Sequence, residues 1–240
     1  APPARNLPRE TLPVPDRWRL VEAIGVTERW WDPYNQNTLK ADRPLFDDWF
    51  VNLSVISDTV FELRGIPTPV GPQGGVSGGA IDLFGQIDQQ IFNQNLITSV
   101  SFIKGDTAYK PPDWEVRATP VFNYNRVTVD ENRALRIDPS LGTKRTDGHI
   151  ALQEAFVDYH IRNVSERYDF DSLRVGIQPV TLDFRGFLFQ DQQLGVRLFG
   201  TRDNNIWQYN VGWFQRMEKD TNSGLNDAGK RLRDDHIFFA

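Results

Sequence analysis

From Asp113 to Val129 the chain alternates apolar and polar side chains almost without interruption, and a period of two belongs to a strand with two unlike faces. Trp114, Val116, Ala118, Pro120, Phe122 and Tyr124 fall on one face, while Glu115, Arg117, Thr119, Asn123 and Asn125 fall on the other. A run of this kind separates two environments, and a chain built from several of them folds into a wall.

The pattern recurs along the sequence. In Asp48–Leu63, Trp49, Val51, Leu53, Val55, Phe61 and Leu63 oppose Asn52, Ser54, Asp58 and Glu62, with Ser57 and Thr59 interrupting the apolar face. In His149–Arg162, Ala155, Val157, Tyr159 and Ile161 oppose Glu154, Phe156, Asp158, His160 and Arg162. Leu173–Gln178 repeats the pattern, and Gln193–Gly200 sets Leu194, Val196 and Leu198 against Arg197. After the turn signal Thr201–Asn205, Trp207, Tyr209, Val211 and Trp213 oppose Gln208, Asn210 and Gly212, which makes a hairpin. Asn95–Lys104 reads as a further strand, joined to the opening run through a Gly/Pro connection. Ile81–Asn95 is ambiguous: Ile81, Phe84, Ile87 and Ile91 approach helical spacing, but Gly85 and the Gln/Asn content favour a strand or inner segment. With the short apolar run at His236–Ala240, about eight strands result. Gly65–Gly79, Asp130–Gly148 and Asp220–Asp235 read as polar or flexible loops.

Composition narrows the environment. The chain has no Cys, so it has neither a disulfide framework nor thiol chemistry, and its net charge of −5 comes from interspersed charges rather than the basic face of a nucleic-acid binder. No apolar run approaches the ~18 residues of a membrane helix, but a membrane strand needs only ~10 with lipid at every second position. Trp, Tyr and Phe recur near strand ends, as in an aromatic girdle, where a soluble sandwich would place interdigitating aliphatics. Residues 1–17 form a Pro-rich extended leader and residues 18–240 the strands and loops. Trp30, Trp31 and Tyr34 cluster near the first turn, either packed back on the domain or acting as an interfacial anchor.

The segments Leu152–Ile161, Ser172–Pro179 and Leu194–Gly200 together resemble porin-like bacterial outer-membrane β-barrels, and the resemblance covers about residues 95 to 217. It marks an architecture rather than a substrate. It implies an all-β fold, an antiparallel transmembrane β-barrel, with export on a signal peptide since removed, outer-membrane lipid as a partner and a channel for small polar solutes. It carries no catalytic residues. Such barrels commonly end in a complete strand with a terminal aromatic residue, whereas here Phe238-Phe239-Ala240 follows directly on a charged loop. The chain therefore reads as an N-terminal portion of a larger barrel, to be completed by further strands or by other envelope proteins. Two other readings remain open: a non-conducting scaffold in the same membrane, and a soluble carbohydrate-binding β-sandwich.

On the barrel reading the polar face lines the interior, and Glu115, Arg117, Glu154, Asp158, His160, Arg162, Arg174, Arg197 and Arg216 are the candidate pore-lining residues. Five Arg against three acids is a mild cationic excess, suited to anionic or sugar-like solutes unless the charges simply pair across strands. Leu182–Gln193 breaks the alternation, and its Asp183, Arg185 and Asp191 between Phe184, Phe187 and Phe189 form a candidate constriction loop. Asp158 and His160 could form a dyad, but no serine stands out as a nucleophile, so no enzyme is expected. Asp220–Asn226 resembles a calcium loop but has Arg231 where the motif wants a bidentate Glu, so no metal and no cofactor is expected.

Overall fold

The computed structural model describes residues 24–35, 37–66, 68, 87–105, 111–131, 133–165, 169–183 and 185–240. The expected leader and most of Gly65–Gly79 lie outside the described residues. The rest is all-β. One antiparallel sheet contains β1 (Trp49–Gly65), β2 (Asp88–Lys104), β3 (Trp114–Val129), β4 (Lys144–Asn163), β5 (Phe170–Thr181), β6 (Gln190–Arg202), β7 (Trp207–Gln215) and β8 (His236–Phe239), in sequence order. Each strand pairs with the next, as short connections favour. Among the described residues β1 and β8 are not paired with each other.

Two expected boundaries move. β2 begins at Asp88, so the described part of the ambiguous segment belongs to a strand from Asp88 on, and the pairing of β2 with β3 runs from Gln89↔Val129 to Lys104↔Trp114. β4 begins at Lys144, where Thr128↔Lys144 and Val127↔Arg145 continue the ladder through residues polar enough to read as loop. Two irregularities in β4 change its phase. Pairing passes from Thr119↔Glu154 to Pro120↔Leu152, skipping Gln153, and from His160↔Ser172 to Arg162↔Asp171, skipping Ile161. An extra residue on one strand reverses which face the following side chains occupy.

The connections differ at the two ends of the sheet. At one rim they span nine residues or fewer: 105–113, 164–169 and 203–206. At the other they are 66–87, 130–143, 182–189 and 216–235, the second containing a single 3₁₀ turn at Pro139–Leu141. In the tightest turn Asp203, Asn204 and Asn205 all adopt positive φ, a conformation that Asn and Asp tolerate best among residues with a side chain. The segment before β1 arrives at the short-turn rim and folds against the strand, with Lys40 bridged to Asn52 and the Leu53 N–H donating to the Leu39 carbonyl at 2.7 Å.

Candidate functional site

The sheet is inside out relative to a soluble one. On β3, Phe122 and Tyr124 are 45% and 46% exposed, whereas Asn123 and Asn125 between and beside them are 7% and 6% exposed. Glu115 and Thr119 are buried and Trp114 and Val116 exposed in the same alternation. The register carries this across the sheet: Phe102, Val116, Val157, Val175 and Trp213 lie on one transverse apolar row, with Val196 between the last two, and all five are exposed. The polar face is the covered one, and the candidate residues lie on it.

Near the long-loop rim the polar face is an amide ladder. Asn123 donates to Asn93 Oδ1 and Asn95 Oδ1, both at 2.7 Å, and Asn125 donates to Asn123 Oδ1 at 2.9 Å. Asn93 and Asn95 escaped the sequence reading because β2 mixes Ile91, Ile97 and Ile103 with polar residues on the same face. Towards the short-turn rim the ladder becomes ionic. Arg117 reaches Glu115 at 2.6 Å and Glu154 at 3.7 Å, and Thr119 donates to Glu154 at 2.9 Å. Arg174 reaches Asp158 at 2.7 Å and Glu115 at 4.0 Å, with its guanidinium 4.3 Å from the centre of the Phe156 ring. Arg197 stands opposite Arg174 in the register and lies over Phe199 at 4.9 Å.

Other candidates lie elsewhere. Asp158 is engaged by Arg174, while His160 Nε2 lies 2.8 Å from Asn163 Oδ1, so the two are held by different partners. Ser172, opposite His160, is fully buried. Arg162 departs from the polar face: the irregularity at Ile161 puts it opposite Asp171, on the row of Gly200 and Tyr209, where the apolar face reaches the short-turn rim. There Asp171 accepts from Arg162 at 2.8 Å, from Arg202 at 2.7 Å and from the Tyr209 hydroxyl. The ring of Tyr209 crosses Gly200, where a Cβ would meet its Cε1 at 2.9 Å. Arg216 lies past the end of β7, beside Asp235 at 3.4 Å.

The segment 182–189 is a self-capped turn: Asp183 accepts from the backbone N–H groups of Arg185, Phe187 and Leu188, and Phe187 and Leu188 are exposed. Burial raises the Asp183 pKa, but those backbone donors outweigh it and hold the carboxyl below the usual range. The connection 216–235 lies across the polar face. The Met217 N–H donates to Gln193 Oε1 at 2.6 Å, Asn226 Nδ2 donates to the carbonyls of Leu152 and Gln192 at 3.3 Å, and His149 Nε2 lies 3.0 Å from the Asn226 carbonyl. Lys219 Nζ bridges Asp191 Oδ1 at 2.5 Å and Asn226 Oδ1 at 2.6 Å. Asp191 thus belongs to this seam, and Asn226, Gln193 and Phe214 are fully buried there. Asp220, the first residue of the calcium-like run, caps its own turn by accepting from the N–H groups of Asn222 and Ser223 and from the Ser223 hydroxyl. Among the described residues no group of acidic and His side chains could hold a metal ion.

The fold and site therefore define an antiparallel β wall with an exposed apolar face and a hydrogen-bonded, ion-paired polar face. No family model, no curated protein and no solved structure matches the chain.

Proposed function

We propose that this chain forms the wall of an outer-membrane β-barrel, a porin-like channel for small polar solutes, with its apolar face against lipid and its polar face towards the lumen. The observation that carries the reading is the inverted burial: exposed Phe122 and Tyr124 beside buried Asn123 and Asn125. In water that arrangement leaves apolar surface exposed in quantity, and in lipid it is the stable one. The dimensions agree. At ~3.4 Å per residue and a tilt of about 40°, the apolar band from Trp114 to Tyr124 spans ~26 Å of height, against ~25 Å for a lipid-facing band.

The band has an aromatic edge at each rim. Trp114 packs against Tyr159 at 4.3 Å near the short turns, and Tyr124 meets Phe92 edge-on at 6.1 Å near the long loops. Lys104 lies level with that edge at the short-turn rim, opposite Trp114 and Trp49, and the Asp171, Arg162 and Arg202 cluster lies beyond it. Connections that are shorter at one rim and, 182–189 apart, longer at the other fit the two sides of such a barrel. Among the described residues the outer edge of β1 is bridged only around Asn52, by the segment that carries Lys40, and the rest of that edge calls for pairing with further strands of the same barrel or of another chain, because lipid tolerates no open edge. A non-conducting scaffold is favoured by one observation, the connection 216–235 lying on the polar face.

Membrane fractionation, followed by electrophoresis with and without heating and by planar-bilayer recording, tests the reading. An outer-membrane protein with heat-modifiable migration and stepwise conductance is expected. Recovery in the soluble fraction would overturn the barrel, and a membrane protein without conductance would leave the scaffold.

A further inference from the structure

The ionic part of the polar face follows one transverse row, Glu115, Asp158, Arg174, Arg197 and Gly212, fixed by the register from β3 to β7. Two acids are followed by two guanidiniums and then by a residue with no side chain. Arg174 takes both acids, at 2.7 Å from Asp158 and 4.0 Å from Glu115, and Glu115 also serves Arg117 at 2.6 Å. Arg197 forms no ion pair among the described residues, and its buried Nε has no hydrogen-bond partner. On its other side Gly212 can supply no acid, and the rings of Phe214 and Phe239 fill the space a Cβ would need. Like charges directly opposite on adjacent strands destabilise a sheet, so the Arg174–Arg197 juxtaposition works against the fold.

Arg197 borders a cavity of about 620 Å³ on the polar face near the short-turn rim, with Phe170, Phe199, Thr201, Gln208 and Asn210 also in its lining. Phe170 and Phe199 meet edge to face at 6.1 Å and give the cavity an apolar side. Gln208 and Asn210 give it amides that both donate and accept. A cavity with aromatic walls, a few convergent polar groups and one cation lacking a counter-ion has the composition of a small-molecule site.

We propose that this cavity binds small organic carboxylates carrying a flat apolar group, with Arg197 forking the carboxylate and Phe170 and Phe199 holding the apolar part. The guanidinium supplies paired donors in the geometry a carboxylate accepts, and the ligand's charge offsets the repulsion between Arg174 and Arg197. The site rests on the channel reading, which provides its route of access and makes it a place where passing anions are selected.

Benzoate is the probe. Its binding to the full chain in detergent micelles is measured by calorimetry, and its effect on current is measured in planar bilayers. Saturable binding is expected, weakened about tenfold or more in R197Q, since a charge-assisted pair is lost, and weakened less in R197K, which keeps the charge but not the fork. Heat-modifiable migration reports folding of each variant. If R197Q fails to fold, R197K carries the test, and benzoate affinity equal to wild type in R197K would overturn the site. Affinity unchanged in a folded R197Q, or no saturable binding to wild type at millimolar benzoate, would also overturn it. A chain that binds benzoate through Arg197 but passes no current would refute the channel and leave the site standing.

Discussion

Replacing Ala118 with Arg separates lipid from water on the apolar face. Ala118 lies midway along the band from Trp114 to Tyr124, points to the exposed face and is itself exposed, opposite Val100 and Ala155. The substitution therefore removes almost no buried surface and breaks no side-chain hydrogen bond. In water an exposed change of this kind costs about 0.5 kcal/mol or less. At the midplane of a bilayer the same guanidinium costs about 2–4 kcal/mol, and near the interface about 0–1 kcal/mol. Thr128→Arg, on the same face but beyond Tyr124 and Arg126, supplies the interfacial reference. The assay is urea unfolding in phospholipid vesicles, followed by the fluorescence of the seven tryptophans. Ala118→Arg is expected to lower stability by at least about 2 kcal/mol more than Thr128→Arg. Equal effects of the two substitutions would refute the lipid-facing assignment.

Removing the buried acid of the row should be costly. Asp158→Ala leaves Arg174 with only Glu115 at 4.0 Å, and a loss of about 2 kcal/mol is expected from the urea midpoint. The double variant with Arg174→Ala should cost less than the sum of the singles, since the stranded charge is removed as well. The connection 216–235 should loosen in acid. The Ser223 backbone N–H, outweighing burial and joined by the Ser223 hydroxyl, the Asn222 N–H and the field of His149, holds the Asp220 carboxyl below its ordinary pKa. A carboxyl depressed in the folded state contributes stability that is fully present above its unfolded pKa of about 3.9 and is lost as pH falls through the lower folded value. Protection factors in 216–235, taken relative to the intrinsic exchange rate at each pH, should be high at neutral pH and lower below the carboxylate range, and unchanged protection would count against Asp220 as an anchor. Gly195→Ala should destabilise by about 1–3 kcal/mol through overpacking, because a Cβ there would meet the Trp213 carbonyl at 2.3 Å and Phe214 Cδ1 at 2.4 Å. A midpoint equal to wild type would contradict the tight approach of these strands.

How much of this was legible depended on whether local alternation survived. On β3 no irregularity interrupts the strand itself, so Trp114 through Tyr124 and Glu115 through Asn125 declared their faces residue by residue. On β2 the signal cancels, because Ile91 and Ile97 share the polar side with Asn93 and Asn95 while Gln90 and Gln94 occupy the other. The skipped Ile161 changes the face of Arg162, and nothing in the sequence around it distinguishes a skipped residue from a paired one. The ionic row assembles from residues far apart in sequence. Glu115, Asp158, Arg174 and Arg197 could each be placed on a polar face, but only register makes them neighbours. The role of 216–235 was invisible for a related reason. Asn226 reaches across to Leu152 and Gln192 through single side-chain hydrogen bonds, and such contacts leave no periodic trace.

The absence of cysteine allows the most direct test of the central claim, since a single engineered thiol at each position from 116 to 125 can carry a nitroxide label without background. In vesicles, labels at Val116, Ala118, Phe122 and Tyr124 should be relaxed by oxygen, which concentrates in lipid. Labels at Arg117, Asn123 and Asn125 should be shielded from it, with period two along the strand. Relaxation of the Phe122 and Tyr124 labels by a water-soluble nickel complex, to the same degree as at the loop residue Asp203, would contradict a lipid-facing wall.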